Sequence, residues 1–207
     1  MLQVARRSAV EERIQILNQM RHICFCADDE IRDRFHALSP RMLITETASL
    51  RPRKNSDDLV RYTTLMVLRE LGQRARNLRQ ETVRHNAIVR PLIRQTAPEL
   101  LALHGVGIDA AAKLFIAAGD NTDRLHSEAA WAHLCGVAPV PASSGKTVRH
   151  RLNRGGNRQA NAALYTVMLT RMRNHGPTQD YVKRRTAEGK TMGEIGRMLR
   201  RYIAREI

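Results

Sequence analysis

From Val60 to Leu92 the chain repeats small and apolar residues at steps of three or four without a break: Val60, Thr64, Val67, Leu71, Ala75, Leu78, Thr82, His85, Val89 and Leu92. A strand alternates at two and cannot keep this pattern, so the stretch reads as one long helix from Asp57 to about Arg94. Asn55-Ser56-Asp57-Asp58 is its start signal, with cap donors followed by acids in the first turn. The seam is heptad-like and needs a covering partner. That partner is either the first helix, folded back as an antiparallel hairpin, or a second copy of the chain. His85 within the seam reads as a satisfied packing residue rather than a ligand.

The rest of the chain is also helical in pattern. Val10, Ile14, Leu17 and Cys24, widened by Ile16, Met20 and Ile23, predict a helix from Ser8 to Ala27, with Ser8 and Glu11 as a capping box. A short helix over Asp28 to Leu38 follows and is ended by Ser39-Pro40. Arg41 to Ser56 reads as a connector. Beyond Thr96-Ala-Pro98, further helices are expected over Ser127 to Cys135, Asn157 to Asn174, Thr178 to Ala187, and from Thr191, where Glu194 completes a capping box. The expected fold is all-α: a long helical hairpin or coiled coil over residues 1–97, then a compact helical domain over 98–207.

Composition bears on partners. Lys and Arg number 35 against 20 Asp and Glu, a formal charge of +15, with pI about 11. Such a surplus points first to nucleic acid. Only 4% of residues are aromatic, which suits helices packed through aliphatic side chains. Three cysteines, Cys24, Cys26 and Cys135, make no disulfide framework and suggest a reducing cytoplasm. His22, Cys24 and Cys26 lack a second ligand pair and read as a helix face, not a zinc site. No apolar run approaches the ~18 residues of a membrane span, so no membrane partner is expected.

The cations concentrate in one place. Between Ala129 and Gln179 stand seven Lys or Arg and no Asp or Glu. Their centre is Pro139 to Arg158, where Pro139, Pro141, Gly145, Gly155 and Gly156 exclude a regular helix. Lys146, Arg149, Arg151, Arg154 and Arg158 lie along this loop, suited to phosphate contacts. Ser143 and Ser144 sit where a phosphodiester would lie. Upstream, Leu103-His-Gly-Val-Gly-Ile-Asp109 joins two apolar helices in a helix-hairpin-helix signature, the second capped at Asp109. Gly105 and Gly107 would let the backbone approach a phosphate at a helix N-terminus.

In order, Leu103-His-Gly-Val-Gly-Ile-Asp-Ala110, Ala132-His-Leu-Cys-Gly-Val-Ala-Pro-Val-Pro141, Ser143-Ser-Gly-Lys146, Arg154-Gly-Gly-Asn-Arg158 and Ala162-Ala-Leu-Tyr165 resemble the C-terminal half of insertion-sequence transposases of the Piv-invertase type. The upstream helices resemble that family's coiled-coil linker. The resemblance implies a serine nucleophile, falling on Ser143 with Ser144 as neighbour; one glycine precedes Lys146 where many relatives have two. It also implies DNA and a structured guide RNA as partners, homo-oligomers through the long helices, and a bacterial cytoplasmic, nucleoid-associated setting. The family's metal ligands belong to an N-terminal RuvC-like domain. This chain begins at the linker, so the expectation is a truncated or split transposase: it carries no cofactor itself, with magnesium expected only in the RuvC-like domain. The chemistry implied is serine attack on a DNA phosphodiester, inactive without that domain. The alternative is a helix-hairpin-helix nucleic-acid-binding protein without chemistry.

Overall fold

A computed structural model describes residues 1–53, 58–120, 122–143, 150–151, 153 and 155–207. Among them the only extended segments are two dipeptides; everything else regular is helical, so the all-α expectation holds. The polypeptide divides into two compact units, Met1–Ile88 and Val89–Ile207. No helix among the described residues is long and apolar enough to cross a membrane.

The first unit is built from α1 (Leu2–Cys26), α2 (Asp29–Phe35), α3 (Pro40–Ala48) and α4 (Leu59–Thr96), whose last residues belong to the second unit. Arg6 Nε of α1 donates to Asn86 Oδ1 of α4 at 2.7 Å. Near the other end of α1, Glu30 of α2 pairs with Arg61 of α4 at 2.6 Å. The two long helices are therefore antiparallel, one of the two arrangements the seam left open. Their shared core holds Ile16, Leu17, Met20 and Cys24 from α1 and Leu68, Leu71 and Ala75 from α4. Each fully buried aliphatic chain there contributes roughly 1.5–3 kcal/mol.

Several local expectations change. α1 begins at Leu2, and Ser8 donates its hydroxyl to Glu12 Oε1 at 3.0 Å inside the helix rather than capping it. The expected connector contains α3. Ser39-Pro40 ends one helix and starts the next: Ser39 Oγ accepts from Met42 N, and Pro40 stands where a helix needs no amide donor. Leu43, Ile44, Thr47 and Ala48 of α3 are buried. Its approach to α4 is so close that a Cβ on Gly72 would lie 2.4 Å from Thr47 Oγ1 and 2.6 Å from Ala48 N. The start signal of α4 lies mostly outside the described residues, but Asp58 Oδ1 does accept from Arg61 N at 2.9 Å. The seam is covered only along part of its length: Leu71, Ala75 and Val89 are buried, whereas Val60, Val67 and Leu92 stay exposed. His85 is part-buried and its Nδ1 has no hydrogen-bond partner, so it packs but is not satisfied.

In the second unit α8 (Arg158–Asn174) is the central element. Around it pack α6 (Ile108–Ala118), α9 (Gly176–Ala187) and α10 (Met192–Glu206); α7 (Glu128–Leu134) lies against α10, and the short α5 (Pro98–Ala102) against α6. α8 buries Ala160, Ala163, Leu164, Val167 and Met168, and α10 buries Ile195, Leu199 and Ile203. Small residues bring the axes together: Gly196 of α10 approaches Met168 Sδ closely enough that a Cβ would sit 3.3 Å from it. α9 begins at Gly176 instead of Thr178, because Pro177 again serves a first turn. The Thr191–Glu194 capping box of α10 forms as expected.

Candidate nucleic-acid interface

The basic loop grows from a root whose geometry is determined by two glycines. α7 ends at Cys135, and Gly136 turns the chain with φ of 67°. This left-handed conformation is the usual way to close a helix and favours glycine. The chain then runs through Val137 to Pro139 into β1 (Val140–Pro141), which pairs antiparallel with β2 (His150–Arg151) in the register Val140↔Arg151 and Pro141↔His150. After β2 the chain returns to Gly136. A Cβ on Gly156 would lie 2.2 Å from Gly136 N, 2.4 Å from its Cα and 2.9 Å from Leu134 O. Only glycine lets the two backbones touch here.

Hydrogen bonds lock the contact. Asn157 N donates to Leu134 O at 2.6 Å, while Asn157 Oδ1 caps α8 by accepting from Gln159 N and Ala160 N. Asn153 Oδ1 accepts from Gly155 N at 2.9 Å, a local turn that brings the chain into α8. One helical turn into α8, Asn161 Nδ2 donates to Cys135 O at 2.9 Å and to Gly136 O at 3.2 Å. Its Oδ1 accepts from Arg200 Nη1 of α10 at 2.9 Å. Asn161 thus uses both ends of its amide to join α7, α8 and α10. Arg200 also donates to Gly196 O and lies 5.9 Å from the centre of the Tyr165 ring. Partial burial, aided by the like charge of Arg197, lowers its pKa from the ordinary arginine value. Cys135, fully buried beneath the root, has its thiol pKa pushed up to about 12 by desolvation.

Beside the root lies an open groove of about 640 Å³. One wall is the loop base with His150 and Arg151; the other is Lys190, Arg197, Arg200 and Arg201. The single carboxylate lining it among the described residues, Glu194, is engaged in the α10 cap. It accepts from Thr191 N and Oγ1, each at 2.9 Å. Those bonds, the backbone one first, hold its carboxyl below the usual range. Arg201 is paired with Glu128 of α7. Arg151, Lys190 and Arg197 are exposed and make no ion pair among the described residues. A cleft with one sign of charge in excess concentrates anions.

The hairpin turn sits elsewhere on the unit. Gly105 has φ of 81°, and its added Cβ would meet Arg171 Cγ and Val167 O of α8 at 3.3 Å. Its need for glycine is therefore explained by the turn and by packing on α8. Buried Arg171 fixes this turn: Nε donates to His104 O at 2.8 Å, and Nη1 to Glu206 at 2.7 Å. Gly107 is the N-cap of α6, with nothing within 4 Å of where a Cβ would stand, so its backbone faces open space. Asp109 is not the cap; it lies in the first turn and pairs with Lys113 at 2.7 Å.

Of the residues singled out in the sequence, the geometry brings Arg151 into the groove. Arg158 is exposed at the start of α8, and Ser143 is exposed two residues beyond β1. Ser144, Lys146, Arg149 and Arg154 lie outside the described residues. Lys190, Arg197, Asn161 and Arg200 were not singled out as site residues. Helical spacing puts 197, 200 and 201 on one side of α10 but does not say what that side faces. No group of three His, Cys, Asp or Glu suited to a metal ion occurs among the described residues.

A helical unit with a clamped hairpin root and a cationic groove has the charge and shape suited to a polyanion. Comparison with known proteins narrows the reading. Residues 97–183 match the family model of the transposases described as the IS116/IS110/IS902 family. Over 96 residues the chain is also 34% identical to the Insertion element IS110 uncharacterized 43.6 kDa protein of Streptomyces coelicolor, an alignment covering 46% of this chain. The chain spans only 24% of that relative's length.

Proposed function

We propose that Val89–Ile207 is the DNA-engaging unit of an insertion-sequence transposase, and that its basic hairpin presents Ser143 or Ser144 as the nucleophile for strand exchange. The observation that carries this reading is that the region matching the transposase family, 97–183, contains the whole hairpin, its glycine clamp and the Asn161 tie. In the step proposed, the serine Oγ–phosphorus bond forms and the phosphorus–oxygen bond to the leaving sugar breaks. The hydroxyl proton passes, in net, to the leaving sugar oxygen. The phosphoserine link keeps the bond energy for rejoining. Arg151 and Arg158 contribute phosphate contacts that position the strand. A structured guide RNA is a second ligand of the same cationic surface. Self-association runs through the first unit, where Val60 and Val67 leave part of the apolar side of α4 exposed.

The test is a strand-exchange reaction reconstituted with a RuvC-like domain. Ser143→Ala is expected to abolish the covalent protein–DNA adduct while DNA affinity changes by less than the net worth of one hydrogen bond, about 1 kcal/mol. If Ser144→Ala abolishes it instead, Ser144 is the nucleophile. If the adduct survives both substitutions, the loop only binds phosphate and the enzymatic reading fails.

A further inference from the structure

The wall of the groove contributed by α10 and the turn before it carries four cations that the fold treats differently. Arg200 is half-buried, bonded to Asn161 Oδ1 and Gly196 O, and set beside the Tyr165 ring. Arg201 is half-buried and ion-paired with Glu128. Each therefore has a protein partner, Asn161 and Gly196 for Arg200 and Glu128 for Arg201, although Arg201 Nη1 is buried without a hydrogen-bond partner. Lys190 and Arg197 are exposed, line the same groove, and have neither an ion pair nor a side-chain hydrogen bond among the described residues. Opposite them stands Arg151 of β2, equally exposed and without an ion pair among the described residues. Glu194, the one carboxylate between these cations, is held by the Thr191 cap. Solvated surface cations normally alternate with acids; here three converge on an open cleft whose one acid among the described residues is engaged in the α10 cap.

We propose that Lys190 and Arg197 contact the phosphodiester backbone of a nucleic-acid strand lying between α10 and the β1–β2 hairpin, whereas Arg200 and Arg201 are structural cations. The proposal rests on the transposase reading for the identity of the polyanion, but not for the division of labour. The strand that reaches the serine loop continues across the groove, so these two residues extend the loop's footprint on the phosphate backbone. Arg200 acts at one remove: through Asn161 it holds Cys135 and Gly136 and so fixes the hairpin root from which Arg151 projects.

The experiment uses the full chain and three fluorescein-labelled 20-mers of one sequence: duplex DNA, single-stranded DNA and RNA. Anisotropy gives the binding constant from 50 to 200 mM salt. Each phosphate contact contributes about 0.9 to the logarithmic salt slope on duplex and about 0.7 on a single strand. The Lys190→Ala/Arg197→Ala double variant should therefore lose about 1.8 or 1.4 from the slope. On duplex this means about tenfold less change in affinity across that salt range. Its melting temperature should equal that of the wild type. Lys190→Arg/Arg197→Lys, which keeps both charges, should restore the slope. Arg200→Ala should instead lower the melting temperature. The probe that shows the slope change identifies the strand. An unchanged slope in the double variant, with salt-sensitive binding by the wild type, overturns this inference alone. Wild-type protein with no salt-sensitive binding to any probe overturns the transposase reading as well.

Discussion

Replacing Gly156 by alanine tests whether the glycine clamp organises the loop root. The new Cβ would stand 2.2 Å from Gly136 N and 2.4 Å from Gly136 Cα. Ordinary contact begins at 3.4 Å, so the strands must part by about 1.2 Å. Neither obstacle is the end of a flexible side chain that could swing away. Parting the backbones stretches the 2.6 Å bond from Asn157 N to Leu134 O beyond bonding range, and it loosens the two Asn161 bonds to Cys135 O and Gly136 O. Overpacking costs about 1–3 kcal/mol, and a lost hydrogen bond adds about 1. The expected destabilisation is about 2–4 kcal/mol, which for a unit of about this size lowers the melting temperature by roughly 8–16 °C. The assay is thermal melting followed by circular dichroism, with hydrogen exchange read at the Asn157 amide. Gly155→Ala is the internal control: its Cβ would meet only Asn153 Oδ1, at 3.5 Å, so it should cost under about 1 kcal/mol. If Gly156→Ala melts within about 2 °C of the wild type and keeps Asn157 protected, the clamp argument is wrong.

Arg171→Met should destabilise the second unit by about 2–3 kcal/mol, because the charge-assisted bonds of buried Arg171 to His104 O and to Glu206 are lost; urea unfolding monitored on α8 checks it, and an unchanged midpoint refutes it. Cys135 gives a pH signature. Its thiol pKa is raised in the fold, so the unfolded chain loses the proton first as pH rises. Stability from this group is intact below about pH 8.5 and falls by up to about 1.4 kcal/mol per pH unit between there and about 12. Cys135→Ala should flatten that limb in melts taken from pH 8 to 10, and an equally steep limb in the variant would assign the effect elsewhere. Thiol labelling under native conditions should reach exposed Cys26 while sparing buried Cys24 and Cys135.

The sequence by itself determined the helices. Periodicity at three to four residues, capping at Thr191–Glu194, and the scarcity of aromatics all act locally or additively, so they are legible without contacts. It also marked out the basic loop: an acid-free run of cations broken by prolines and glycines can be counted directly. What it could not decide depends on residues far apart in the chain. Ser39-Pro40 looks like a stop because proline disfavours helix before it; only burial of Leu43 and Ile44 against the first core makes it also a start. Gly105 and Gly156 look alike as turn glycines. Yet one is required by a positive φ and by contact with α8, the other by backbone contact with Gly136, twenty residues earlier. The arginines of α10 carry the same charge and share a side of one helix. Tertiary structure alone separates Arg200, spent on Asn161, from Arg197, left facing an open groove, because what a cation does is decided by which acceptors the fold brings within hydrogen-bonding distance.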